Sequence, residues 1–239
     1  MRRHTRRAFL GQLAAATLAT AMPGTLRGQI APARRRPNVL FIMSDDMRVD
    51  LGCYASIFNA KTPNLDALAK AGVRFDRNYC QFPLCNPPRA SLLTGQNPTK
   101  TSVLGNRTNF REAHPDWTTL PQVFMNNGYV TVRAGKIYHG GIDDAKSWSA
   151  TSDKGGATDT GRAAYSDRIV VLDGNGETHG DYLTAERTIA NLRRYKDRPF
   201  FIACGFVKPH SPPTTAINLA KRANGPRPAR CLKWARASL

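Results

Sequence analysis

PNVLFIMSDD, residues 37–46, decides the fold. Seven residues from Pro37 to Met43 form a short apolar run after a polar, arginine-rich stretch, the pattern of a buried strand. The run ends abruptly on Ser44-Asp45-Asp46. PFFIACGF (Pro199–Phe206) repeats the pattern and ends on Val207-Lys208-Pro209-His210. A third strand, Tyr129–Ala134, precedes Lys136 and His139. Apolar runs of this length suit strands covered on both faces, as in parallel sheets.

Between these runs lie helical patterns. Thr62-Pro63 opens one, with Thr62 as N-cap and Pro63 at the first helical position. Leu65, Leu68 and Ala69 would form its apolar face, and Gly72 would stop it. Val73–Tyr79 reads as a further strand, Gln81–Pro88 as a proline-rich loop, and Arg89–Leu93 as a helix start. Thr118 is placed to cap a helix over Leu120–Asn126. Asp181–Tyr195 has helical spacing through Leu183, Thr188, Ile189 and Leu192. Residues 140–165, rich in Gly, Asp, Ser and Thr, read as loop. The alternation predicts an α/β fold: a mostly parallel central sheet sandwiched by helices. Ligands of such sheets sit beyond the C-terminal strand ends. Asp45-Asp46, Lys136 with His139, and Lys208-Pro209-His210 are therefore expected on one rim.

The formal charge of +18 on 239 residues invites comparison with nucleic-acid-binding proteins. Its distribution argues otherwise. Residues 1–36 hold eight arginines and residues 211–239 six lysines or arginines, with no acid in either stretch. What lies between is only mildly basic and shows no basic stripe interleaved with aromatics, so no nucleic-acid partner is expected. Five widely spaced cysteines make a poor disulfide framework, with one bridge at most. No Cys/His grouping has zinc spacing.

MRRHTRRAFLGQLAAATLATAMPG has a cationic start, a weakly apolar run and small residues at Ala19-Thr20-Ala21. This is signal-peptide architecture, too short for a stable membrane span. Thr5-Arg6-Arg7-Ala8-Phe9-Leu10 is similar to a twin-arginine export signal. Residues 1–33 are accordingly assigned to export, toward periplasm or medium, with the twin-arginine translocase as partner.

Chemistry concentrates in three places. Adjacent Asp45 and Asp46 repel one another unless a cation sits between them, and hard oxygen donors suit calcium or magnesium. A solvated turn is the other reading of that pair. In Cys85-Asn86-Pro87-Pro88-Arg89 a cysteine precedes an arginine by four residues at a helix start, a spot attractive to anions. The residues alone leave open an activated thiolate or a buried structural cysteine. Lys136, His139 and His210 complete the set.

At these residues the sequence resembles the sulfatases of the alkaline phosphatase superfamily. CNPPRASLLTG (Cys85–Gly95) is similar to their C-x-P-x-R signature, and GYVTVRAGKIYH (Gly128–His139) to their second signature. NVLFIMSDD resembles their first metal-binding segment, and TPNLDALAKAGVRFDRNY the stretch that follows it. DDMRVDLGCY, GKIYHGGI and GFVKPH are most similar to the iduronate-2-sulfatase branch. Asn86 and Pro88 depart from the usual signature, while its Cys-Pro-Arg set is intact.

The resemblance implies that a maturing, formylglycine-generating enzyme oxidises Cys85 to formylglycine, whose hydrate is the nucleophile toward a sulfated carbohydrate. Asp45, Asp46 and the Cys85-derived group would hold Ca2+ (or Mg2+). Arg89 would hold the formylglycine side and the metal-site carboxylates, and Lys136 the sulfate. His139 would bond the hydroxyl that triggers elimination. His210 would hold the sulfate or protonate the leaving oxygen. A phosphomonoester or phosphonate hydrolase of the same superfamily, and an inactive fragment binding sulfated polysaccharide, are the alternatives. The likeness covers about residues 37–212, within a catalytic domain set at 34–212, and fails at 213–239, a basic, acid-free tail with the look of a frameshift. On that reading the second half of the catalytic domain is missing, and the polypeptide alone is expected to be poorly folded or inactive.

Overall fold

The three apolar runs pair as one parallel sheet in the computed structural model, which describes residues 36–58, 60–149, 170–172, 174, 176–210 and 214–216. Residues 1–33, expected above to direct export, and most of the 213–239 tail lie outside the described residues. Strands β1 (Val39–Ser44), β2 (Val130–Gly135) and β4 (Phe200–Phe206) stand in the order β1-β4-β2. Their registers run from Val39↔Phe201 to Ser44↔Phe206 and from Val130↔Phe200 to Gly135↔Gly205. All three C-terminal ends therefore come out level. A separate parallel pair joins β3 (Val170–Leu172) to β5 (Thr214–Ala216).

Helices cover the main sheet unequally. On one face Phe201 and Ala203 pack with Ala90, Leu93, Phe110, Ile137 and Trp148. These come from α2 (Asn86–Thr94), α4 (Phe110–Ala113) and the segments beside them, joined by Leu120 and Phe124 of α5 (Leu120–Asn126). On the other face Phe200 and Ile202 meet Val130, Val132 and Tyr195. The last belongs to α6 (Gly180–Tyr195). Alternate residues of β4 thus serve two cores, as a period of two requires. The sandwich is complete over β4 and β2. On β1, Val39, Phe41 and Met43 face the first core, while Leu40 and Ile42 remain 43% and 53% exposed.

The remaining elements are α1 (Pro63–Ala71), α3 (Pro98–Thr101) and two short 3-10 helices, Gly52–Tyr54 and Ala145–Ser147. Four local expectations change. Val73–Tyr79 forms no strand: Val73, Phe75 and Tyr79 are exposed, and no described neighbour offers a ladder. The expected apolar face of α1 stays in solvent, and Thr62 spends its hydroxyl on Asp66 and the amide of Gly52 rather than capping its own helix. Helix α2 begins three residues early, at Asn86, because prolines at its first turn forfeit only amides that have no helical partner. Thr119, not Thr118, precedes α5, where the Gln122 side chain accepts its amide at 2.9 Å.

Helix α6 also presents an unexpected face. Thr184, Thr188, Asn191 and Tyr195 are buried, while Leu183 and Ile189 are exposed. The reason is a close approach. Gly135 has φ +73°, and a Cβ there would meet Gly205 O at 2.1 Å and Thr184 Cγ2 at 2.6 Å. Only a small helix residue fits against that point.

Candidate active site

Each main strand ends in site residues. Asp45 follows β1, with its amide donating to Phe206 O of β4 at 3.2 Å. It is 5% exposed. Its Oδ1 accepts from Arg89 Nη2 at 2.8 Å and its Oδ2 accepts from Lys136 Nζ. Burial would push this carboxyl up, but the Lys136 and Arg89 contacts outweigh it and hold Asp45 below its ordinary value. Arg89, on the first turns of α2, uses its other nitrogen on Lys136 O and Ile137 O, both at 2.8 Å. One buried guanidinium thus ties α2 to the ends of β1 and β2. A planar fork with several donors does this where an ammonium could not.

Cys85 immediately precedes α2, its Sγ 3.9 Å from Asp45 Oδ2. Burial and the negative charge of Asp45 push its thiol up, against the pull of Lys136 and Arg89. This is the opposite of an activated thiolate. His139 follows β2, with Nδ1 buried and without a hydrogen-bond partner among the described residues. Burial, then Lys136 and Arg89, lower its affinity for a proton, so the ring is neutral near pH 7. His210 follows β4 and places Nε2 3.7 Å from Asp46 Oδ2. Asp46 itself has φ +57° and lies at the exposed edge.

All seven residues singled out in the sequence therefore gather on one rim. A cation fits the donor set in part: ligand atoms of Asp45, Cys85 and His210 lie within 4.8 Å of one another. Two aspartates and an oxygen at Cys85 would suit a hard cation, whereas a thiol would not. A cavity of about 210 Å³ opens beneath the same segment, lined by Lys136, His139, Arg133 and Asp143 among others.

Other residues fix the rim without any motif to announce them. Asn86, 3% exposed, donates from Nδ2 to Gly105 O at 2.9 Å and Thr108 O at 2.8 Å, and its amide donates to Asn106 Oδ1. Under the Lys136–His139 segment, Tyr138 OH meets Ser147 Oγ at 2.8 Å. Ser147 donates to Asp144 at 2.6 Å, and Arg111 holds Asp144 by two nitrogens at 3.0 and 2.7 Å. Only Asn86, directly after Cys85 and a departure from the usual signature, carried a signal in the sequence. The Arg111–Asp144–Ser147 chain is assembled from separate loops and left none. No bridge joins the four described cysteines.

A parallel sheet with twin aspartates, an arginine, a lysine and a helix-start cysteine gathered at its strand ends defines an α/β protein with one charged, polar rim. The chain belongs to the sulfatase family, whose model, described as "Sulfatase", matches residues 37–228. Human iduronate 2-sulfatase is 35% identical over 195 residues, covering 73% of this chain and 35% of that protein. A sulfatase of Formosa agariphila is 32% identical over 206 residues, covering 74% and 40%. A protein solved in complex with its substrate, D-glucosamine-2-N,6-O-disulfate, superposes with a TM-score of 0.59 at 25% identity, covering 82% of this chain and 40% of that one. The chain thus spans 35–40% of the length of these two curated relatives.

Proposed function

We propose that this chain supplies the nucleophile-bearing rim of a sulfuric ester hydrolase acting on sulfated sugars. The observation that carries the reading is the placement of Cys85. It sits at a helix start among Asp45, Arg89, Lys136 and His210, its Sγ 3.9 Å from Asp45 Oδ2, and burial and Asp45 push its thiol up. Direct attack by sulfur is disfavoured there, and conversion of Cys85 to formylglycine removes the difficulty. The hydrated aldehyde supplies one hydroxyl for attack on sulfur and a second for release of the sulfate. Asp45, Asp46 and the Cys85-derived oxygen would hold calcium (or magnesium), which would supply positive charge for sulfate oxygens.

The chain's own residues do the rest. Arg89 fixes Asp45 and the start of the Lys136–His139 segment. Lys136 offers an ammonium to the charge that grows on the sulfate. His139, neutral and with an unpartnered Nδ1, accepts the proton of the hydroxyl that starts elimination. His210 steadies the sulfate or gives a proton to the leaving oxygen. The likeness to iduronate 2-sulfatase and to the protein solved with D-glucosamine-2-N,6-O-disulfate supports a sulfated sugar as substrate, with an iduronate-2-sulfatase-like preference. Residues 1–33 would direct export through the twin-arginine translocase after the maturing enzyme has acted. No helix among the described residues is long and apolar enough to cross a membrane.

The test is peptide mass spectrometry across residues 80–95 after co-expression with a formylglycine-generating enzyme. The expected peptide is lighter by about 18 Da, thiol to aldehyde. When the chain is supplied with the second half of a sulfatase catalytic domain, sulfate release from a sulfated sugar should exceed phosphate release from the matching phosphate ester and vanish in Cys85→Ala. An intact thiol in every preparation, with hydrolysis unchanged in Cys85→Ala, refutes the reading.

A further inference from the structure

We propose that Asp181 and Ser44 are positioning residues for His210, acting through the peptide groups of Lys208; the catalytic value of that placement rests on the function proposed above.

His210 sits on a loop, which by itself is a poor mount for a ring that must meet a bound group. The segment Val207–His210 is a turn, closed by the His210 amide on Val207 O at 3.1 Å. Two unrelated elements grip it. From α6, Asp181 spends both carboxylate oxygens on consecutive amides: Oδ1 accepts from Val207 N at 2.7 Å and Oδ2 from Lys208 N at 2.8 Å. Such charge-assisted pairs are stronger than neutral ones and fix orientation as well as distance. Asp181 is itself held, its amide donating to Nδ1 of His179 at 3.1 Å, and α6 packs on β2 and β4. From β1, Ser44 Oγ donates to Lys208 O at 2.6 Å. The N–H and the C=O of one residue are thus held from opposite sides.

Ser44 directly precedes Asp45. The strand that presents Asp45 and Asp46 therefore also sets the height of the loop that presents His210. Through this link, His210 Nε2 reaches Asp46, and the ring joins Asp45 and Cys85. Nothing here requires Asp181 to touch a ligand. Its two oxygens are committed to the backbone.

The experiment uses the full 239-residue chain with Asp181→Ala, Asp181→Asn and Ser44→Ala. In Asp181→Ala the Val207 and Lys208 amides should exchange at least about 10-fold faster. The 1H–13C resonance of the His210 ring, assigned by its loss in His210→Gln, should move in Asp181→Ala and Ser44→Ala. That of His114, stacked on Trp117, should stay and so reports an intact fold. Asp181→Asn, with one acceptor oxygen left, should fall between. Unchanged amide exchange in Asp181→Ala, or an unmoved His210 resonance in both Asp181→Ala and Ser44→Ala, overturns the proposal. If Asp181→Ala fails to fold, Ser44→Ala and Asp181→Asn decide by the same resonance. In sulfate-ester turnover, measured with the second half of a sulfatase catalytic domain supplied, Asp181→Asn should lower kcat by up to about 100-fold. It should add nothing in a His210→Ala background; an equal loss in both backgrounds overturns positioning. Turnover unchanged in His210→Ala would instead remove His210 from the chemistry, a failure of the proposed function that the resonance shifts do not share.

Discussion

Replacing Arg89 with alanine should destabilise the fold by about as much as the fold is stable. Arg89 is 4% exposed and makes three hydrogen bonds of 2.8 Å, to Asp45 Oδ1, Lys136 O and Ile137 O. Removing one partner of a buried ion pair costs about 3–5 kcal/mol. Lys136 stays on the other oxygen of Asp45, which places this part near the lower end. Two buried carbonyls lose their donor, adding roughly 1 kcal/mol or more each. The total is about 5 kcal/mol, the whole margin of many domains. Arg89→Lys keeps the charge but cannot span three acceptors, and should lose about half as much. Urea unfolding followed by tryptophan fluorescence reads the difference. The pH dependence gives a second check. Asp45 is held below its ordinary value, so its contribution is complete above that value and is lost as pH falls through the lower folded one. Without Arg89 that acid-side window should narrow. A stability of Arg89→Ala within about 1 kcal/mol of the parent, well inside the estimate from buried pairs, would refute the reasoning.

A Cβ at Gly205 would meet Lys136 O at 2.0 Å, so Gly205→Ala should lower stability by about 1–3 kcal/mol or more, read as a drop in melting temperature. Asn86→Ala leaves Gly105 O and Thr108 O without their donor; a loss of roughly 2 kcal/mol is expected in the same melt, and none would show that the 105–108 loop needs no anchor. Unmodified Cys85 should react with iodoacetamide at pH 7.5 far more slowly than exposed Cys80, since burial and Asp45 keep its thiol protonated. Faster alkylation at Cys85, mapped by peptide mass, would contradict that electrostatic picture.

The parallel sheet was legible because its strands are written as unbroken apolar runs, PFFIACGF buried on both faces and PNVLFIM although one of its faces stays exposed. The rim was legible because polar residues directly follow those runs. Val73–Tyr79 misled for the same reason in reverse: its residues suit a strand, but pairing is a property of neighbours, and no described neighbour is there. The face of α6 was hidden because closeness to Gly135, rather than apolarity, decides which side turns inward. Asp181 and Ser44 read as an ordinary helix-start acid and a strand-end hydroxyl. Their partners are peptide groups 26 and 164 residues away, and main-chain amides leave no trace in side-chain patterns.

Order of synthesis and order in space disagree in this sheet. The central strand β4 is made last, and β1 and β2 have no direct contact in the ladder until it arrives between them. A ribosome would have extended the chain more than a hundred residues past Cys85 before the rim could close around that side chain. Any catalyst that must grip Cys85 and its neighbours in extended form has that interval in which to work. A circularly permuted gene that emits β4 before Cys85 would shorten the interval, and the yield of converted cysteine should fall with it.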